Sequence, residues 1–210
     1  MRKETKLELI LNAVTHGIGF FLSIFALSFL LTHTDERAQT FGVVVFGVSM
    51  IFLYLASTLY HAFPQSMIKT RAVFRRFDHC AIYLLIVGTY TPFVAILVPN
   101  VAGITLLGVL WTITLIGIIM KIIVFHRFKF YHYIMYVAMG WSIVFIWPSI
   151  YELVPADALR LLIWGGIAYT SGLVFFGLNN KIPFMHLIWH VFVIAGTLLH
   201  FFSVYNIIGA

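Results

Sequence analysis

Long apolar blocks separated by short polar stretches organise this chain. Seven can be drawn, at about 9–31, 41–62, 79–98, 102–124, 131–150, 159–178 and 184–207. Each approaches the roughly 20 residues with which a helix crosses a bilayer core of about 30 Å. Lipid gives the backbone no hydrogen-bond partners, so helices are the expected form of such blocks. The alternating pattern of a barrel strand is absent. The pattern predicts an all-α integral membrane protein, a seven-transmembrane-helix bundle in a single domain over residues 1–210. The narrowest gap, Pro99-Asn100-Val101, must be a tight turn; without it the count falls to six. No broken helix is evident in any block.

Composition agrees. Hydrophobic residues make up 62% and charged residues 10%, with a mean hydropathy of +1.02. A soluble domain carries roughly 25% charged residues, so the deficit is too large for a water-facing surface. The lone Cys80 excludes an internal disulfide. The first block, preceded by Arg2, Lys3 and Lys6, imitates a signal peptide. It runs too long for an h-region and has no small-residue cleavage site, so it reads as a retained helix.

Charge gives the bundle a direction. The net charge is +6, but the basic residues sit in short connections, which favours topology over nucleic acid as their reason. Arg2, Lys3 and Lys6, then Lys69, Arg71, Arg75 and Arg76 in the loop after the second helix, then Lys121, Arg127 and Lys129, then Lys181, fall on one side. Those are eleven of the thirteen basic residues. Arg37 and Arg160 fall on the other, with Asp35, Glu36, Glu152 and Asp157. The alternation is regular only for seven spans, and it predicts a cytoplasmic N-terminus and an outer C-terminus.

Ionisable and polar residues inside apolar helices are costly, which makes them functional candidates. Glu8, Asn12 and His16 recur every four residues, along one face of the first helix. Ser57 and His61 are four apart near the end of the second. Asp78 and His79 stand at the start of the third. His186 and His190 are four apart near the start of the seventh. With the predicted topology all of these fall in the cytoplasmic half of the bundle. Two imidazoles on one helical face suit a single ion, as in helical zinc sites. No glutamate stands between them, so a third ligand and a base must come from elsewhere, and His61 and Asp78 lie at the right depth. Three histidines and a water make a catalytic type of zinc centre. Zinc there would bring the water's pKa towards ~7. Asp78 would hold the water and take its proton, and Ser57 would bond the water or a developing oxyanion.

Plainer readings stand beside these. Asp78 suits an N-cap of the third helix, and Ser57 can bond its own backbone. Glu8 is either a solvated first-turn acid or part of an inter-helix network with Asn12 and His16. His79 is expected to pack on another face. His200 lies too far along its helix to share the ion and reads as a buried, hydrogen-bonded histidine. His33, His126 and His132 read as solvated or interfacial. Gly165, Gly166 and Gly172 read as helix-contact positions.

Three motifs resemble the progestin and adipoQ receptor family, most nearly its bacterial branch, the hemolysin III family. They are Glu8-x3-Asn12-x3-His16, Ser57-x3-His61 with Asp78 seventeen residues on, and His186-x3-His190. The segments Ser57-Thr-Leu-Tyr-His61, Asp78-His-Cys-Ala-Ile-Tyr83 and Gly88-Thr-Tyr-Thr-Pro-Phe93 are similar too. The resemblance implies seven helices with an intracellular N-terminus. It also implies Zn2+ held by His61, His186 and His190, with Asp78 holding a water. Its eukaryotic members and the related alkaline ceramidases are associated with hydrolysis of lipid amides, and its bacterial members with membrane-fluidity homeostasis and haemolytic activity.

Three functions follow as expectations. The first is a zinc-dependent intramembrane hydrolase of a lipid amide or ester, with membrane lipids as partners. The second is a non-enzymatic, receptor-like regulator whose zinc is structural. The third is a cytolytic membrane protein, against which stands the lack of any plausible soluble form. Substrate and oligomeric state are not legible in the residues.

Overall fold

The structure, a computed structural model, describes Arg2, residues 4–125 and residues 129–209. Lys3, His126 and Arg127 lie outside the described residues, as does the side chain of Lys129. The described residues are helical throughout, with no strand among them: α1 Lys6–Leu31, α2 Arg37–Ala62, α3 Ile68–Ile96, α4 Val101–Ile123, α5 Lys129–Gly140, a 3-10 turn Ser142–Ile146, α6 Trp147–Leu153, α7 Ala156–Leu178 and α8 Met185–Ile208. Among the described residues seven spans are long and apolar enough to cross a membrane, the fifth being Phe130–Leu153.

The burial pattern is that of a protein dissolved in lipid. The buried face of α1 carries Glu8, Asn12, His16 and Ser23, while Ile10, Phe21 and Phe25 point outwards. Apolar residues on the outside and polar ones within are what a hydrocarbon solvent favours, since only buried groups find partners.

Neighbouring spans pack in sequence from α1 to α4, α7 packs on α8, and α8 returns to α1 and also meets α2 and α3. Glycine permits the closest approach of α2 and α3. A Cβ on Gly42 would come 2.6 Å from the Cα of Pro92, itself inside α3. The gap at Pro99-Asn100 is a real turn: Asn100 caps α4, its side chain accepting from the Gly103 amide at 3.0 Å.

Two expectations change. The fifth block is not one helix, and the broken helix that the sequence did not reveal is here. α5 ends at Gly140, a 3-10 turn follows, and α6 restarts with Pro148 in its first turn. Proline has no N–H to give and is favoured in a first turn. The backbone freed at the break is met by one phenol. Tyr90 Oη donates to the Gly140 carbonyl at 2.9 Å and accepts from the Ile143 amide at 2.9 Å and from Ser142 Oγ at 3.2 Å. The third helix also begins at Ile68 rather than near 79, so Lys69, Arg71, Arg75 and Arg76 lie on its first turns and not in a loop. Apolar content marks only the segment within lipid, and the helix continues beyond it.

Candidate metal centre

Three helix ends of the bundle meet at one level. The last turn of α2 carries His61, the first two turns of α8 carry His186 and His190, and the first turns of α1 carry Glu8, Asn12 and His16. His61 and His190 are buried, at 2% and 1% exposure. One ligand atom from each of His61, His186 and His190 lies within 4.8 Å of the others, so the cluster can hold a metal ion. His61 Nε2 and His186 Nε2 stand 3.2 Å apart. Two nitrogens bound to one tetrahedral zinc at ~2.0–2.1 Å would stand about 3.3 Å apart. The fit therefore rests on the spacing of the donors themselves.

Two of the three rings have a hydrogen-bond partner at Nδ1, and His61 Nδ1 has only a more distant carboxylate. His190 Nδ1 is 3.3 Å from Thr15 Oγ1, His186 Nδ1 is 3.2 Å from the Asn179 amide, and His61 Nδ1 is 4.0 Å from Glu4 Oε1. Asn179 Oδ1 is otherwise buried without a partner. Exchanging its amide atoms gives His186 Nδ1–H an acceptor and leaves Nε2 as a lone pair for the ion. Glu4 is held by Asn12 Nδ2 at 3.1 Å and faces Arg71 at 3.8 Å. Burial pushes its carboxyl above the usual range. Glu4, Thr15 and Asn179 were not among the sequence candidates. Glu4 had a signal, since it extends the four-residue repeat of Glu8, Asn12 and His16 one step back.

Asp78, His79 and Ser57 border the cluster. With His16, His186, His190 and Trp189 they line a cavity of about 20 Å³, room for one water-sized species. Asp78 lies eleven residues into α3, so it is not the cap of that helix. Ser57 Oγ faces the Asp78 carboxyl without reaching hydrogen-bond geometry with any described group. It does not bond its own helix. His79, expected to pack elsewhere, packs edge-on against Phe125 and also reaches this cavity.

His16 stacks on His190, centroids 3.5 Å apart and planes at 14°, with both ring nitrogens buried and unpartnered. It braces a ligand and stands outside the triad. Glu8 is buried and forms a capping box with Thr5. It also accepts from the Arg2 guanidinium at 2.8 and 2.5 Å and from the Phe184 amide at 2.8 Å. Phe184 has φ of 62°, rare for a bulky residue, and Glu8 holds it there at the start of α8. His132, expected at an interface, is fully buried and bonded to Tyr83 Oη at 2.7 Å. His33 is exposed, as expected.

A larger cavity adjoins this one. It measures about 230 Å³ and runs between α3, the broken fifth span, α7 and α8. Leu53, Ile82, Trp189 and Val193 line both spaces. Its walls are almost wholly apolar.

Fold and site together define a class, a multi-pass membrane protein of seven spans with a buried histidine triad at one end of the bundle. The chain belongs to the haemolysin-III related family, whose model matches residues 5–201. It is 45% identical to hemolysin-3 of Bacillus cereus over 200 residues, which cover 94% of this chain and 90% of that protein. It is 42% identical to the hemolysin-3 homolog of Bacillus subtilis (strain 168), over 94% of this chain and 92% of the relative. The human monocyte to macrophage differentiation factor, a distant relative of the progestin and adipoQ receptor type, is 25% identical over 97% of this chain and 86% of its own length.

Proposed function

We propose that this protein is a zinc-dependent intramembrane hydrolase acting on a lipid amide or ester, with its metal centre in the cytoplasmic half and its N-terminus in the cytoplasm. The observation that carries the reading is the His61–His186 nitrogen spacing of 3.2 Å beside a water-sized cavity walled by Asp78 and Ser57. The adjoining apolar cavity supports a lipid substrate. His61, His186 and His190 are the ligands, with Thr15 steadying His190 and Asn179 steadying His186 through Nδ1. Zinc held there supplies Lewis acidity and brings a water within reach of deprotonation at neutral pH. Asp78 accepts that proton on a carboxylate oxygen and returns it to the leaving amine or alcohol. Ser57 Oγ–H donates to the oxygen on which charge develops. Glu8, Asn12 and His16 hold the start of α1 against α8 and the ligands. Eleven basic residues on the near side support the orientation.

The test is metal analysis of purified wild type beside His61→Ala, His186→Ala and His190→Ala, with lipid turnover followed by mass spectrometry with and without chelator. One zinc per wild-type chain, its loss in each variant, and turnover abolished by chelator are expected. Full zinc in all three variants overturns the site. A second reading is favoured by one feature: His61 comes from α2 and both other ligands from α8, so an ion would tie two spans together. If chelation lowers thermal stability and no lipid species turns over at any zinc level, the centre is structural and the protein a non-enzymatic regulator.

A further inference from the structure

Trp189 stands on α8 between His186 and His190, directly before the latter. It borders both cavities, and the other residues that do so, Leu53, Ile82 and Val193, are aliphatic. Among the described residues Trp189 therefore carries the only side-chain N–H or O–H where the two spaces meet. The ring is buried, at 8% exposure, and closely seated. A Cβ on Gly172 of α7 would come 2.8 Å from its Cε3 and 3.0 Å from its Cζ3. Phe176 packs against it with centroids 5.3 Å apart. In an indole the N–H is on the edge opposite Cε3 and Cζ3, so it is turned away from Gly172.

That N–H has no hydrogen-bond partner among the described residues, and Nε1 keeps accessible surface, unlike the closed-off nitrogens of His16 and His200 Nδ1. An indole N–H can only donate, and holding one in an apolar bundle without an acceptor is costly. The other indoles of the larger lining differ. Trp141 Nε1 donates to Thr170 at 3.0 Å, and Trp147, also without a partner, is 38% exposed and does not border the smaller cavity. The walls of the larger cavity suit an acyl chain, while the smaller one sets a water-sized space beside the histidines and Asp78. A molecule with its tail in the first and its head at the second must carry its polar-to-apolar junction past Trp189. In a lipid amide or ester that junction is the carbonyl group, an acceptor.

We propose that Trp189 is a specificity-determining residue whose Nε1–H binds the carbonyl oxygen of a lipid amide or ester at the boundary between the two cavities. It rests on the reading of the larger cavity as the lipid-chain site and does not need the hydrolytic step. The indole N–H donates, and the acyl chain runs from the carbonyl past Leu53, Ile82 and Val193 into the larger cavity. A carbonyl oxygen has two lone pairs, so Trp189 and Ser57 can both donate to it. Trp189 thereby fixes which part of the lipid faces Asp78 and favours chains with a carbonyl at their head over chains with none.

The test compares binding of N-methylstearamide and of octadecane, which lacks the carbonyl, to the purified full chain in detergent. Chelated protein is used, so that no metal pulls on the carbonyl. The amide is expected to bind about three- to tenfold more tightly, the worth of one net hydrogen bond. Trp189→Phe keeps an aromatic ring against Gly172 and Phe176 and removes the N–H, and it is expected to bind the two probes alike. A second readout uses wild type alone: the Trp189 indole N–H resonance in a 15N-labelled sample is expected to move downfield with the amide and to stay in place with octadecane. If Trp189→Phe does not fold, that resonance is assigned by elimination from single Phe substitutions at Trp111, Trp141, Trp147 and Trp164. Equal affinities on wild type, a preference that survives in Trp189→Phe, an unmoved Trp189 resonance, or no binding of either probe overturns the proposal. Preference for the amide with no turnover of any lipid by zinc-loaded protein overturns the hydrolase and leaves the carbonyl site.

Discussion

Asp78 and Ser57 face one another beside the histidine triad, and the charges of Arg75 and Lys121 also act on the Asp78 carboxyl. A carboxyl so placed in an apolar bundle is costly unless a water or a cation shares its space. The proposed roles separate cleanly by substitution. Asp78→Asn keeps size and polarity and leaves the three ligands intact. It is expected to retain zinc in full while turnover falls at least ~100-fold, the usual worth of a positioned base. Zinc lost along with turnover would make Asp78 a ligand or a structural prop. Much of this group was legible early, because His61, His186, His190, Asp78 and Ser57 share a depth once the spans are counted. Thr15 and Asn179 were not, because nothing in their own spacing marks them; they matter through where a ring on another helix points. His132 was misplaced for a related reason. Its position at the edge of an apolar block suggests an interface, and only the packing of α5 on α3 brings Tyr83 over it.

Within the fifth span a single hydroxyl closes three backbone and side-chain hydrogen bonds across the break. Inside a bilayer such groups have no water to turn to. Tyr90→Phe keeps the ring and removes the closure. It is expected to destabilise the protein by about 1–3 kcal/mol, read as a lower unfolding midpoint in detergent, with zinc content unchanged. An unaltered midpoint would mean that the break satisfies itself some other way. The break lies at Gly140 and before Pro148, both visible in the chain. They were not enough to predict it, since glycine and proline are tolerated in transmembrane helices when neighbours re-satisfy the backbone. The neighbour here is fifty residues away. The extension of α3 below residue 79 was hidden for the opposite reason: its first turns are basic and polar, and hydropathy does not distinguish a wet helix from a loop.

Across the bundle, the triad joins spans that are distant in sequence, so an ion bound there links metal occupancy to stability. A ligand that binds only the folded state at 1,000 times its Kd stabilises by about 4.1 kcal/mol. Zinc-loaded protein is expected to unfold at a distinctly higher temperature than chelated protein at pH 7.5. Ligation needs neutral imidazoles, and protons compete for the same nitrogens. The stabilisation is therefore present at neutral pH and shrinks once the pH is low enough to protonate the ligating imidazoles. Equal unfolding temperatures with and without zinc at pH 7.5 would argue that the triad binds no ion.

Seven spans, their all-helical form, their membership of a membrane and the set of histidines worth suspecting were already present in the order of residues. Each follows from a property that repeats along one helix: hydrocarbon thickness sets block length, and a four-residue spacing sets a face. The 3.2 Å approach of two imidazole nitrogens, the Thr15 and Asn179 partners of His190 and His186, and the break capped by Tyr90 came only from the folded bundle. Those features are relations between helices. They depend on rotation, tilt and side-chain rotamer, which no pattern within a single helix specifies.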